Sequence, residues 1–134
     1  ARIVATACPL FVPLVENGRF RPGDTVIETV AREYLTPLRD TGIDTLILGC
    51  THYPLLAEVI AGVMGSGVTL IDSGASAARA LRQTLSDKDL LAQRASGTLT
   101  LYASDQPQDF GALASQFLRR PLEGAVLPVD IERY

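Results

Sequence analysis

Hydrophobic and polar positions change period several times along the chain, and each change predicts an element. Arg2 to Ala7 is a short β-type run, followed by Cys8 and by Pro9 at a helix N1 position. Leu10, Phe11, Val12, Leu14 and Val15 are apolar on nearly all sides, which predicts a short buried helix or turn ended by Glu16. Arg21-Pro22-Gly23-Asp24 reads as loop, and Thr25 to Glu28 as a capping box whose hydroxyl and carboxylate satisfy orphan N–H groups. The helix opened there carries Ile27, Val30, Ala31, Tyr34, Leu35 and Leu38 at amphipathic spacing. Pro37 predicts a kink or an early end, and Gly42 fits the C′ position.

Asp44 to Gly49 then reads as a fully buried strand, completing the αβ half of a right-handed crossover. Pro54 pre-sets φ for the first turn of a second helix bearing Leu55, Leu56, Val59, Ile60 and Val63, ended by Gly65-Ser66-Gly67. Val68 to Ile71 is another buried strand. Ser73 is placed to N-cap a third helix with Ala77, Ala78, Leu81 and Leu85 on its buried face, and Asp72 reads equally well as a turn former. Residues 86–97 are a polar, partly helical surface excursion, and Thr98 to Ala103 alternates with the period of a strand. A helix from near Pro107 is expected to bury Phe110, Leu113, Ala114, Phe117 and Leu118. Ala125 to Ile131 closes the chain as a strand, at an edge because of Pro128. The alternation of β and α predicts an α/β fold with a mostly parallel sheet flanked by helices.

Composition narrows the function classes. The 134 residues, 47% apolar and 20% charged, are enough for one globular domain or a piece of a larger one. A net charge of −3 and a lone basic pair, Arg119-Arg120, argue against a nucleic-acid partner. No apolar run is long enough for a membrane span and no signal peptide is evident, so a reducing, cytoplasmic setting is expected. Two cysteines and one histidine do not make a closed zinc site, and no metal is expected. The chain starts at Ala1 almost inside a strand, which reads as a fragment.

The chemistry concentrates at Gly49-Cys50-Thr51-His52-Tyr53-Pro54, where a thiol, a hydroxyl, an imidazole and a phenol follow a strand. Open α/β sheets bind ligands beyond the carboxyl ends of their strands. A thiol near the positive end of the following helix is favoured as thiolate, which makes Cys50 a candidate base or nucleophile and His52 its proton partner. Plainer readings stay open at this point: Cys50 as a small buried hydrophobe, His52 as a hydrogen-bonding turn residue, and Glu16 as a solvated carboxylate. Near a cleft, Glu16 would instead orient an imidazole or a substrate ammonium.

Gly49 to Pro54 resembles the second cysteine motif of the glutamate racemase family, in the aspartate/glutamate racemase superfamily. Ala7 to Glu16, Asp44 to Leu48, Ile71 to Gly74 and the Phe110–Leu118 helix resemble further family blocks in the same order. The resemblance implies a cofactor-independent racemase of two similar α/β domains with the active site between them, interconverting L- and D-glutamate for peptidoglycan, and hence for cell-wall biogenesis and cell shape. Cys50 would be the base for L-glutamate and the acid in reverse, His52 would assist it and help bind substrate, Thr51 would bind the substrate carboxylate, and Glu16 would act through His52.

The family's first cysteine motif and its upstream Asp-Ser motif have no counterpart in these residues, and Cys8 belongs to a different segment. The expectation is therefore a C-terminal half, incomplete relative to the two-domain family. Residues 1–72 would form the second half of one lobe carrying the Cys-Thr-His motif, and residues 73–134 would return to the other. Two-base inversion needs an acid and a base on opposite faces of Cα, so this chain alone is expected to be inactive and its partner to be the missing N-terminal half. No pyridoxal phosphate signature supplies an electron sink, so no cofactor is expected. A homodimer stays open as the assembly. The alternatives are an aspartate or hydantoin racemase, or a non-catalytic α/β module with structural cysteines.

Overall fold

The computed structural model describes residues 2–94, 97–105 and 107–133, with the backbone alone at 107–109. The described residues form two compact units, Ala1–Leu91 and Ala92–Tyr134. No helix among them is long and apolar enough to cross a membrane.

The first unit holds helix α1 (Phe11–Glu16), helix α2 (Thr25–Arg39), strand β1 (Thr45–Leu48), a 3-10 turn (Tyr53–Leu56), helix α3 (Ala57–Met64), strand β2 (Thr69–Asp72) and helix α4 (Ser73–Asp87). β1 and β2 pair in parallel, with Leu46 opposite Leu70 and Ile47 opposite Ile71, so α3 is the crossover that parallel strands require. One cluster joins Phe11 and Val15 of α1, Ile27, Ala31, Leu35 and Leu38 of α2, Leu48 of β1, and Leu56, Val59, Ile60 and Met64 around α3. The 3.6-residue spacing of α2 thus names the buried face, while Val30 and Tyr34 at its margin are only partly covered.

Local chemistry moves several boundaries. Asp24, rather than Thr25, caps α2: its carboxylate accepts from Val26 N–H at 2.9 Å, while Glu28 Oε1 accepts from Gly23 N–H at 2.8 Å. Both carboxylates serve N–H groups at the helix start, but Glu28 reaches Gly23, the residue before the cap, so the expected Thr25–Glu28 capping box does not form. Arg19 grips the same carboxylate with two bonds of 3.0 Å and holds it below the usual carboxylate range. α2 runs two residues past Pro37, and Gly42, at φ 76°, follows the expected C′ position by one residue. Likewise Asp72 caps α4 in place of Ser73, accepting from the N–H groups of Gly74 at 2.8 Å and Ala75 at 3.2 Å. Pro9 lies in a turn ahead of α1, not at its N1 position. Pro54 sits in the 3-10 turn, so the α-helix proper begins only at Ala57.

Other expectations fail because an apolar pattern reports a face that prefers cover, not the presence of cover. Residues 2–7 form no strand and are exposed, having no neighbouring strand to pair with. β1 is half-buried: Leu48 faces the core, but Ile47 is 68% exposed on the open side of the two-stranded sheet. No residue of α4 is buried; Ala77 and Ala78 are exposed and Leu81 is 59% exposed.

In the second unit, strand β3 (Tyr102–Ala103) pairs in parallel with strand β4 (Leu127–Pro128), helix α5 (Pro107–Leu118) connects them, and a 3-10 turn (Ile131–Arg133) follows. Both strands are shorter than their sequence runs, since only two residues of each find a ladder partner. Ala103 and Ala114 are buried, whereas Phe110, Phe117 and Leu118, expected inside, are exposed. The expected excursion at 86–97 begins inside α4, and its residues 95–96 lie outside the described residues.

Two outcomes follow from this packing. Leu56 is 0% exposed, and Leu56→Ala should cost about 2–5 kcal/mol in urea unfolding, against within about 0.5 kcal/mol for Leu81→Ala. The second concerns acid. A carboxyl held below its ordinary value stabilises the fold above its unfolded pKa, and that contribution fades as pH falls through the folded value. Below about pH 4, α2 should therefore lose stability in wild type. Asp24→Asn, still a good cap, should show a smaller acid loss by circular dichroism.

Candidate active site

The loop after β1 carries Cys50, Thr51 and His52 in succession, and α1 carries Glu16 at its end. Their meeting is tertiary. His52 Nε2 lies 3.2 Å from Glu16 Oε1 across 36 residues of chain. On the other edge of the ring, Nδ1 lies 3.3 Å from Thr51 Oγ1 and 3.9 Å from Cys50 Sγ. The His52 side chain is 18% exposed and that of Glu16 50% exposed, so the pair sits at a surface open to ligand. All four residues singled out from the sequence are brought together.

The donor and acceptor inventory assigns the ring protons. A carboxylate only accepts, so the Glu16 contact calls for Nε2–H. In the neutral ring Nδ1 is then the acceptor, and it faces the Thr51 hydroxyl and the Cys50 thiol. The arrangement can take a proton from sulfur and store it on an imidazole whose far side rests on a negative charge. That division of labour suits a thiol base.

The loop is held from behind by aromatic packing. Tyr53 meets Phe11 edge-on, with centroids 5.4 Å apart at 88°, and Phe11 meets Tyr34 at 5.5 Å and 65°. The Tyr53 hydroxyl donates to the Cys8 carbonyl oxygen at 3.4 Å, a long bond. Burial first, then the neighbouring Cys8, Cys50 and Tyr34 groups, push the Tyr53 phenol up, keeping it a donor. The sequence places the Tyr53 phenol in this loop but assigns it no role, since an aromatic ring beside Pro54 says nothing of a partner 45 residues away.

The two thiols differ. Cys8 is 7% exposed within the core cluster, its Sγ 3.9 Å from the Thr6 carbonyl oxygen, and burial pushes its thiol up. Cys50 is only partly buried, beside the imidazole. The 3-10 turn places the α-helical N-terminus at Ala57, so the positive helix end is farther from Cys50 than the sequence suggested. Among the described residues, no group of three or more His, Cys, Asp and Glu side chains is placed to hold a metal ion.

The parallel βαβ unit, with a thiol, hydroxyl and imidazole at its strand end, lies within residues 17–81, which match the family model described as Asp/Glu/Hydantoin racemase; the chain is similar to the aspartate/glutamate racemase superfamily. Within that superfamily its similarity is to glutamate racemases. It is 42% identical over 131 residues to the glutamate racemase of Geobacter metallireducens, covering 97% of this chain and 47% of that protein. Against the glutamate racemase of Lactiplantibacillus plantarum it is 42% identical over 90% of this chain and 44% of that protein. The crystal structure of the Thermus thermophilus glutamate racemase, in complex with β-chloro-D-alanine, matches with a TM-score of 0.82 at 39% identity over 97% of this chain and 48% of that one. That of the Francisella tularensis enzyme, in complex with D-glutamate, matches with a TM-score of 0.80 at 33% identity over 96% and 47%. The chain spans about half the length of the relatives it matches.

The thiol environments are checked by alkylation. In the folded chain, iodoacetamide should modify Cys50 first, and Cys8 should stay protected through pH 9.0, its ordinary value, until denaturant is added. Peptide mass spectrometry reads both sites.

Proposed function

We propose that this chain is the C-terminal half of a cofactor-independent glutamate racemase, an isomerase supplying D-glutamate for peptidoglycan and so for cell-wall biogenesis and cell shape, in the cytoplasm. The observation that carries the reading is the contact chain from Cys50 Sγ through the His52 ring to Glu16, at 3.9 Å and 3.2 Å. The relatives named above, one with D-glutamate bound, support glutamate as substrate over the aspartate and hydantoin substrates in the family's description.

This reading carries a two-base mechanism, supported by the contacts around His52. His52 Nδ1 accepts the Cys50 proton, leaving a thiolate beside an imidazolium that Glu16 stabilises. The thiolate removes the α-proton of L-glutamate; the proton forms an S–H bond, and the electron pair of the broken C–H bond stays on Cα. A thiol on the opposite face then gives its proton to that carbon, which completes the inversion. Thr51 binds the substrate carboxylate and, with His52, fixes the substrate against Cys50. A structural-cysteine module is favoured by Cys8, which is buried, but not by Cys50, which is partly open next to a base.

In this reading the second acid/base comes from the missing N-terminal half. Residues 1–72 complete one lobe, and residues 73–134 return to the other. The apolar side chains left open on β1 and α4, Ile47 and Leu81, support a chain that folds against further residues. With one acid/base alone, the chain should give no measurable turnover. In the complete two-lobed enzyme in D2O, Cys50→Ala should abolish α-deuterium incorporation into L-glutamate, followed by proton NMR. Incorporation at the wild-type rate would remove Cys50 from the role of base.

A further inference from the structure

Two hydrogen-bond donors address one acceptor at the centre of the site. Neutral His52, with its Nε2–H directed to Glu16, has a single lone pair, on Nδ1. The Thr51 hydroxyl lies 3.3 Å from that nitrogen and the Cys50 sulfur 3.9 Å from it. A hydroxyl is the stronger donor of the two, and a thiol the weaker. We propose that Thr51 is a positioning residue that acts as a brake: in the ligand-free site its hydroxyl occupies the His52 lone pair and keeps the Cys50 proton on sulfur.

The brake is released by any acceptor that draws the hydroxyl away from the ring. A carboxylate does so, since a charged acceptor binds an O–H more strongly than a neutral one. With the hydroxyl turned to the ligand, Nδ1 is left to Cys50. The proton then moves from Sγ to Nδ1: one S–H bond breaks, one N–H bond forms, and the sulfur keeps the electron pair. The identity of this carboxylate as that of glutamate rests on the function proposed above; the competition for the lone pair does not.

The geometry makes the competition local. Thr51 is exposed and adjoins His52 in sequence, so Thr51→Val removes the hydroxyl, keeps the β-branched shape and takes nothing from the core. The chain contains one histidine, so no other imidazole supplies the base. Cys8 is separated by its burial and by its own peptide in mass spectrometry.

The test is the rate of Cys50 alkylation by iodoacetamide at neutral pH in this chain without ligand. Thr51→Val should raise the rate about five-fold, the equivalent of one net hydrogen bond of about 1 kcal/mol. In a His52→Gln background, which keeps an N–H donor for Glu16 and removes the ring nitrogen facing Cys50, the same substitution should bring no gain. Thr51→Ser, which restores a hydroxyl, should return the rate toward wild type. An unchanged rate in Thr51→Val overturns the brake. A gain that persists without the imidazole also overturns it, because the hydroxyl would then be shielding the sulfur and not holding the lone pair. Circular dichroism of each variant confirms that the exposed loop substitutions leave the fold intact. The readout is thiol chemistry without turnover, so the brake and the racemase reading fail separately.

Discussion

The contact between Glu16 and His52 is the constraint on which the rest of the site depends. It joins the end of α1 to the loop after β1 at 3.2 Å, across 36 residues. By taking Nε2–H it decides which ring nitrogen is left as acceptor, and so decides what Cys50 and Thr51 meet. A partly exposed pair of this kind contributes little to stability, because water screens it. Its value is orientation, and that needs a rigid support on each side.

The core provides that support. Phe11 and Val15 of α1, Leu48 of β1 and Leu56 after the loop belong to one buried cluster. The helix bearing Glu16 and the strand preceding Cys50 are therefore fixed to the same body. Phe11, between Tyr34 and Tyr53, ties the loop to α2 as well, since edge-on aromatic contacts restrict ring orientation more than aliphatic ones do. Cys8 is one of the groups that fills this core, and its burial makes it an inert thiol. Cys50 stands outside the cluster, next to the His52 imidazole. The same side chain is thus packed away at one position and left partly open beside an imidazole at the other, and the surroundings make the difference.

In the first unit, the described residues leave apolar side chains open on β1 and α4. The open side of the β1–β2 sheet shows Ile47, and α4 shows Leu81 along a face whose spacing is that of a core helix. Two parallel strands are a small sheet, and parallel sheets are ordinarily covered on both faces. The relatives are about twice as long as this chain, which is in keeping with apolar faces that the described residues leave open.

Much of the fold was legible in the sequence because periodicity is a local property. The spacing from Ile27 to Leu38 names the buried side of α2, the apolar run ending at Gly49 locates β1, and βαβ order calls for parallel pairing. The resemblance of Gly49 to Pro54 and of Ala7 to Glu16 pointed to the residues of the site. The caps fall one residue before the hydroxyls of Thr25 and Ser73, at Asp24 and Asp72, whose carboxylates accept from the first helical N–H groups. Ile47, Leu81 and Phe110 are exposed where their spacing predicts burial, because a pattern carries no information on whether a partner surface is there. Tertiary structure alone brought Glu16 to His52 and Tyr53 to Cys8. Distances of that kind depend on how helices and strands dock, and docking is set by the whole core and not by any stretch of neighbouring residues.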